Sequence, residues 1–320
     1  MQKRTLLKAA AAACLGTAGI AVGQDKPIRV LVGFPPGQAT EAIARVLAEA
    51  LERELKQGVV VDNKPGQGGS LALGLLAAAP ADGSVITVSA LAAFAINPSL
   101  YAKVPYDPLK DFAPIGLVAD IPTVLVTGAN SGYTTLEALV AAAKRQPGSL
   151  KHSSSGNGTV SHLGMQEFKR RAGIDMVHVP YQGSARAMTD LVAGHVHAGL
   201  DSVAATRGLV EGKRLHVLAA ASRRRLDAFP SVATLGELGY PDLEVSAWTA
   251  VAVPAATPLE TRNRLSQAVQ KIVASPEFAQ KLVPLGAVAR PGGADEFGAL
   301  LRSELGRWKA AVASSGARVE

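Results

Sequence analysis

Short strand-like runs alternate with helical segments along most of this chain, and this alternation constrains the fold more than any other feature. The runs are rich in valine and isoleucine and lie at residues 28–34, 59–62, 85–89 and 124–127. Between the first two, Ile43, Leu47 and Leu51 form one helical stripe opposite charged residues, with Thr40 as the expected N-cap. Strands that alternate with amphipathic helices predict an α/β fold built on parallel sheets.

The alternation continues in the second half of the chain, and two extended segments bracket it. These segments, around residues 114–126 and 245–253, are candidate hinge strands between two lobes. The part from Pro258 onward has mainly helical patterns. We therefore expect a discontinuous lobe 1, made of residues 24–123 and 248–320, and a lobe 2 made of residues 124–247.

The first 23 residues have the pattern of a cleavable signal peptide. Basic residues precede an apolar, alanine-rich stretch, and Ala21 and Gly23 stand at the −3 and −1 positions of a cleavage site before Gln24. The stretch is short for a membrane span. A twin-arginine-like start at Lys3 and a lipidation site at Cys14 remain as alternatives. We expect a periplasmic protein cleaved after Gly23.

Composition excludes several function classes. Cys14 is the only cysteine, so the mature chain has no disulfide, thiolate metal site or cysteine nucleophile. Removal of the signal's three basic residues lowers the formal charge from +7 to +4. Aromatic residues make up 4% of the chain and the basic residues are scattered, which argues against nucleic-acid binding.

Two loops, one in each half, have the character of anion sites. The first loop, residues 34–40, joins a strand to a helix and contains Phe34, Pro36 and Gly37. Free backbone N–H groups and the helix dipole favour anions at such a place. A proline-stiffened turn is the alternative interpretation of this segment.

The second loop, residues 153–162, has the same position in the other half and is dense in hydroxyls and glycine amides. It contains Ser155, Asn157, Gly158 and Thr159. A carboxylate accepts about four hydrogen bonds and would suit it, although a surface turn would have the same composition. A ligand held between two lobes explains both loops together. We expect the Thr159 hydroxyl to donate to a bound carboxylate.

Other candidate motifs are weaker. The glycine cluster at residues 63–70 lacks the phosphate-loop pattern and is interpreted as a turn, and we expect no cofactor. His195 and His197 could bind a metal, but without a third ligand nearby a structural role is favoured and no metal is expected. Asp201, at the end of an apolar strand, could meet a ligand cation or amide or be an ordinary strand-end carboxylate.

Ordered motifs give the chain a specific resemblance to the substrate-binding proteins of tripartite tricarboxylate transporters, also called Bug receptors. The match covers nearly the whole mature length. The motifs are FPPG at residue 34, DNKPG at 62, ADG at 81, INPSLY at 96, YDP at 106, SGNGT at 155 and VHVPY at 177.

The resemblance implies a type II periplasmic binding fold that grips one ligand carboxylate between its two strand-to-helix loops. By position, the grip uses Phe34, Pro36 and Gly37 with Ser155, Asn157, Gly158 and Thr159. The resemblance further implies that the rest of the cleft is lined by Ser89, Ala90, Tyr181, Gly183 and Asp201. The sequence departs from the family at Gln38, Glu41 and Gly33, where relatives have Gly, Asp and a bulkier residue.

The sequence therefore predicts a monomeric solute-binding protein for a small organic carboxylate. Its expected partners are the membrane subunits of a tripartite transporter or, alternatively, a signalling protein. The rival hypothesis is a secreted hydrolase in which His162 activates Ser155. That hypothesis lacks a residue to orient the histidine and a G-x-S-x-G elbow.

Overall fold

The computed structural model describes residues 26–318, so the expected signal peptide lies outside the described residues. The strands are β1 (Ile28–Val32), β2 (Val59–Asn63), β3 (Val85–Ala90), β4 (Phe112–Gly128), β5 (Lys151–Ser154), β6 (Val177–Pro180), β7 (Ala198–Ser202), β8 (Leu215–Ala220), β9 (Ser246–Pro254) and β10 (Val288–Gly292). The α-helices are α1 (Ala39–Leu55), α2 (Ser70–Ala77), α3 (Asn97–Leu100), α4 (Leu136–Arg145), α5 (Val160–Ala172), α6 (Ser184–Ala193), α7 (Val203–Glu211), α8 (Leu259–Val273), α9 (Pro276–Leu282) and α10 (Ala294–Ser315).

The first lobe is a sheet in the order β2-β1-β3-β9-β4-β10, covered by helices on both faces. One face packs against α1, α8 and α9, where the predicted stripe of Ile43, Leu47 and Leu51 is fully buried. The other face packs against α2, α10 and the turn after β3, around the aromatic cluster of Phe94, Trp248 and other rings. Burial on both faces explains why β1 and β3 are nearly continuous apolar runs.

The second lobe is a sheet in the order β8-β4-β7-β5-β6, also covered on both faces. Its apolar cores lie under α4 and α5 on one face and under α6 and α7 on the other. Strands β5, β6 and β7 are mutually parallel, as the alternation of strands and helices predicts. The two α/β lobes expected from the sequence are therefore confirmed.

Strand β4 is common to both lobes and forms the main hinge. Up to Pro122 it pairs with β9, and from Thr123 it pairs with β7. The second predicted hinge strand, β9, pairs only with strands of the first lobe. The chain therefore passes from the second lobe back to the first just before β9. There the Thr123 hydroxyl donates to the Val245 carbonyl, and Ala221 N–H donates to the Thr123 carbonyl at 3.0 Å. The two crossing segments are therefore held side by side.

The strand registers bring the carboxyl ends of parallel strands in both lobes to this hinge. Ala90, at the end of β3, lies opposite Thr249 near the start of β9. Ser202, at the end of β7, lies opposite Thr123, where β4 enters the second lobe. Ligands of open α/β sheets bind at such strand ends. The loops that follow these strands therefore face the space between the lobes.

Some elements differ from the sequence expectation. Helices α2 and α7 and strand β10 were not expected. Helix α2 begins within the glycine cluster, and β10 lies in a region whose pattern is mainly helical. The N-cap of α1 is Gln38, not Thr40, which lies buried inside the helix. Within residues 26–318 no helix combines the length and apolarity needed to cross a membrane.

Candidate functional site

The start of the first loop packs against the glycine cluster at residues 63–70. A Cβ at Gly33 would lie 2.4 Å from Gly69 Cα, so the backbones are too close for a side chain there. Asn63 Nδ2 donates to the Phe34 carbonyl at 2.9 Å. The glycine cluster thus supports the first loop, and the small residue at Gly33 is explained by this close approach.

Glu41 caps the first loop, which the sequence analysis did not anticipate. Gly37 N–H donates to Glu41 Oε2 at 3.0 Å, and Arg45 Nε donates to the other carboxylate oxygen. The Glu41 side chain is 3% exposed, and an acidic residue in the first helical turn favours the dipole of α1. The Gly37 amide is therefore engaged, while Phe34 is half-buried and Pro36 and Gly37 are exposed. Pro36 has no N–H, so it can offer a ligand only its ring and carbonyl.

The second loop is held by a network of hydroxyls centred on Ser161. Ser161 Oγ accepts from Ser155 N–H at 2.9 Å and lies 2.9 Å from the hydroxyls of both Ser155 and Thr159. Thr159 is the N-cap of α5, where its hydroxyl accepts from His162 N–H and donates to the Gly156 carbonyl at 2.7 Å. The Thr159 proton is thus used within the loop, which leaves the Ser155 hydroxyl and the exposed Asn157 as better donors to a ligand.

Three stacked imidazoles lie beneath the second loop, a feature that sequence reasoning missed. The His162 and His178 ring centroids are 3.9 Å apart, and those of His178 and His152 are 4.9 Å apart. Burial lowers the pKa of His162 and of His178 to about 4, and that of His152 to about 3, so all three rings are neutral at pH 7. Their spacing in sequence gives no warning, because they come from β5, α5 and β6.

The arrangement of His162 does not support the hydrolase hypothesis. Its Nδ1 accepts from Gly158 N–H at 3.1 Å, and its Nε2 lies 3.4 Å from Gln166 Nε2. The Ser155 hydroxyl lies 2.9 Å from the Ser161 hydroxyl instead, and either group can be the donor. A serine nucleophile needs a base within hydrogen-bond reach, and here the ring is a buried structural acceptor for the second loop.

Tyr181 and Gly183 lie in the loop between β6 and α6 and connect it to the second loop. Their N–H groups donate to the carbonyls of Ser154 and Ser155, both at 3.1 Å. The Tyr181 hydroxyl donates to Asp190 Oδ2 at 2.6 Å, and burial together with this hydrogen bond raises the Tyr181 pKa to about 12. Gly183 has a φ of +104° and open space where a Cβ would lie, so its backbone is accessible.

Asp201, Ser89 and Ala90 are buried at the strand ends that face the hinge. Asp201 is 5% exposed, and its Oδ1 accepts from the Ser184 hydroxyl at 2.8 Å and from Ser202 N–H at 2.7 Å. Asp201 Oδ2 and the Ser89 hydroxyl are buried without a protein hydrogen-bond partner. Such groups are rare in folded proteins, and a water molecule, an ion or a ligand can supply the missing hydrogen bond.

The lobes touch on both sides of the cleft. A Cβ at Gly158 would lie 2.3 Å from Leu100 Cδ2 of the first lobe. On the other side, a Cβ at Gly286 would lie 2.7 Å from the Ala204 backbone nitrogen of the second lobe. The two lobes are therefore in contact at both of these points, an arrangement that we call the closed form.

Metal binding receives no support within residues 26–318, where no three His, Cys, Asp or Glu side chains converge as ligands. The three stacked histidines meet face to face, so their in-plane lone pairs do not point to a common centre. His197 Nδ1 accepts from Lys151 N–H at 2.9 Å, which gives this ring a structural role. His195 is exposed and lies 3.5 Å from Asp190.

Two α/β lobes that share a hinge strand and close over the ends of their parallel strands define a solute-binding protein. Residues 43–316 match the model of the tripartite tricarboxylate transporter family receptor. The chain therefore belongs to this family of periplasmic substrate-binding receptors.

Relatives and solved structures agree with this assignment. Protein BugT of Bordetella pertussis is 34% identical over 313 residues, which is 96% of each chain. The R. palustris protein Rpa4515, solved with adipate, is 30% identical with a TM-score of 0.79, over 92% of this chain and 98% of that one. MatC from Rhodopseudomonas palustris, solved with bound malate, is 27% identical with a TM-score of 0.74, over 89% of this chain and 98% of that one.

Proposed function

We propose that this protein captures a small organic carboxylate between its lobes and delivers it to a tripartite membrane transporter. The observation that carries the proposal is the pair of strand-to-helix loops at the hinge, each followed by a helix N-terminus. Hydroxyls and backbone amides at helix N-termini bind anions well. The adipate and malate bound by the two structural relatives support the same ligand class.

The ligand site in this proposal combines the two loops with the neighbouring strand ends. Its members are Phe34, Pro36, Gly37, Ser89, Ala90, Ser155, Asn157, Gly158, Thr159, Tyr181, Gly183 and Asp201. Ser155 and Asn157 are the donors we assign to the carboxylate. The Thr159 hydroxyl donates to the Gly156 carbonyl and the Gly37 amide to Glu41, whereas the Ser155 hydroxyl can accept from Ser161 and so keep its own proton for a ligand. Thr159 acts by ordering α5.

Further parts of the proposal concern organisation and location. We assign residues 24–123 and 248–320 to lobe 1 and residues 124–247 to lobe 2, a division supported by the apolar cores on either side of Thr123. The protein works as a monomer without catalytic turnover. The signal peptide directs it to the periplasm and is removed after Gly23. N-terminal sequencing of the exported protein should therefore give Gln24.

A ligand panel measured by thermal unfolding tests the function. At a concentration of about 100 Kd, a carboxylate should stabilise the protein by about 2.7 kcal/mol, a rise of a few degrees in Tm. Ser155→Ala should reduce the rise in Tm that the carboxylate causes. Ser149→Ala, which changes an exposed serine of the same lobe, should leave this rise unchanged. A panel in which neutral sugars or peptides stabilise and carboxylates do not would contradict the proposed ligand class.

A second assay tests the absence of turnover. Purified protein incubated with ester and amide substrates should release no product above the rate seen with Ser155→Ala. Hydrolysis that depends on Ser155 would restore the enzyme hypothesis.

A further inference from the structure

We propose that the ligand carries a hydrogen-bond donor, an amino or hydroxyl group, in addition to its carboxylate, and that Asp201 accepts from this donor. The inference rests on the proposed function, since it places the ligand in the cleft between the lobes. It goes further by assigning the ligand class to hydroxy- and amino-carboxylates and by assigning the selection to a single side chain.

Asp201 lies at the edge of the second-lobe sheet that faces the first lobe. It is the penultimate residue of β7 and is paired in register with Val124, directly after β4 enters the second lobe. Ser155, in the second loop, extends from β5, which pairs with β7 in parallel. The carboxyl ends of these strands, and hence Asp201 and the second loop, lie at the same edge of the sheet and face the first lobe.

The two carboxylate oxygens of Asp201 differ in their surroundings. Oδ1 accepts from the Ser184 hydroxyl and from Ser202 N–H, so the side chain is held in one orientation. Oδ2 is buried and has no protein partner. A buried carboxylate oxygen without a donor costs free energy, so a ligand that supplies a donor gains more than one that does not.

Charge at this position favours a donor over a second anion. Asp201 lies between the first turns of α6 and α7, whose dipoles stabilise one negative charge there. Burial raises the Asp201 pKa, and within residues 26–318 no Lys, Arg or His side chain pairs with this carboxylate to offset the cost of its charge. An ammonium or hydroxyl group of a ligand placed here would donate to Oδ2 and offset that cost, which a second carboxylate cannot do.

The test compares carboxylates that differ only by the donor group, by titration calorimetry on the full mature protein. The sets are succinate, L-malate and L-aspartate; glutarate, 2-hydroxyglutarate and L-glutamate; and benzoate, 4-hydroxybenzoate and 4-aminobenzoate. The tightest-binding set should show a preference of about 10-fold or more for a member with a donor, because hydrogen bonds to charged groups have this strength.

Asp201→Asn is the informative variant because it is isosteric and keeps an oxygen for Ser184 and Ser202. It should reduce the preference by about 10-fold while the plain carboxylate binds as well or better. Asp175→Asn is the matched control, an aspartate of the same lobe that is 69% exposed and should change nothing. Ser184→Ala, which loosens the Asp201 orientation, should reduce the preference partially.

The outcomes separate this inference from the proposed function. If carboxylates bind but the tightest ligand lacks a donor, or if Asp201→Asn weakens every member of a set equally, the donor inference is wrong and the proposed function stands. If no carboxylate binds to the wild-type protein, the proposed function fails and the inference fails with it. Should Asp201→Asn not fold, the wild-type preferences together with Ser184→Ala decide.

Discussion

Gly158 offers a direct test of whether lobe closure controls affinity. The Cβ of Gly158→Ala would lie 2.3 Å from Leu100 Cδ2, whereas carbon atoms in good contact are about 3.5 to 4.0 Å apart. Either Leu100 must turn or the lobes must stay about 1 Å further apart. Because this contact joins the two lobes, the clash acts on the closed form and should weaken ligand binding.

The same substitution has a second cost that does not depend on closure. Gly158 has a φ of +71°, and a side chain in this left-handed region costs about 1–2 kcal/mol. Gly173→Ala is the matched control, because Gly173 has a φ of +61° in the same lobe and open space where its Cβ would lie. Both variants should lose similar stability in urea unfolding, but only Gly158→Ala should lose affinity, by about 10-fold if the clash costs the closed form about 1.4 kcal/mol.

A double variant identifies the origin of the loss. Leu100→Ala in the Gly158→Ala background removes the clashing methyl groups and should restore affinity, even though it destabilises the first lobe by about 2–5 kcal/mol. Calorimetry with a carboxylate that binds the wild-type protein is the assay. Equal affinities of Gly158→Ala and wild type, or no recovery in the double variant, would refute the closure argument.

Three further predictions concern the loops. Thr159→Val should destabilise the protein by about 1 kcal/mol in urea because α5 loses its N-cap, whereas Thr159→Ser should not. Burial lowers the pKa of His152 to about 3 in the folded protein, whereas in the unfolded chain the ring protonates below about pH 6.5. The free energy of unfolding should therefore fall as the pH drops from about 6.5 towards 3. His152→Phe should flatten this decline between pH 7 and 5, and an unchanged slope would mean that burial does not lower the His152 pKa. Glu41→Gln should raise carboxylate affinity several-fold by removing a negative charge beside Gly37, and calorimetry showing weaker binding would mean that Glu41 helps the site.

The alternating apolar runs predicted most of the fold because burial on both faces of a parallel sheet requires them. The stripe of Ile43, Leu47 and Leu51 and the segment that became β4 are examples. Helix α2 was missed because its amphipathic signal is weak and it directly follows Gly68 and Gly69, which are typical of a turn. Strand β10 was missed because its alternation is interrupted by Pro291 and Gly292.

The site was predicted less completely, because its chemistry depends on contacts between distant segments. The strand-to-helix positions of the two loops follow from local sequence, and so does the location of Asp201 at a strand end. The use of the Thr159 proton by Gly156 and the capping of Gly37 by Glu41 depend on side-chain orientation. The stack of His152, His162 and His178 depends on the pairing of β5 with β6, which no single segment encodes.

The discontinuity of the first lobe determines when each apolar core can be completed as the chain is made. The apolar cores of the second lobe draw on residues between 124 and 245, a continuous stretch. Those of the first lobe need α8 and α10 as well as β1 and β3, which are synthesised far earlier. Until β9 is available, β3 has an open edge that another chain could pair with. The earliest strands of the chain therefore lack part of their apolar core and one pairing partner until the last third of the chain has been made.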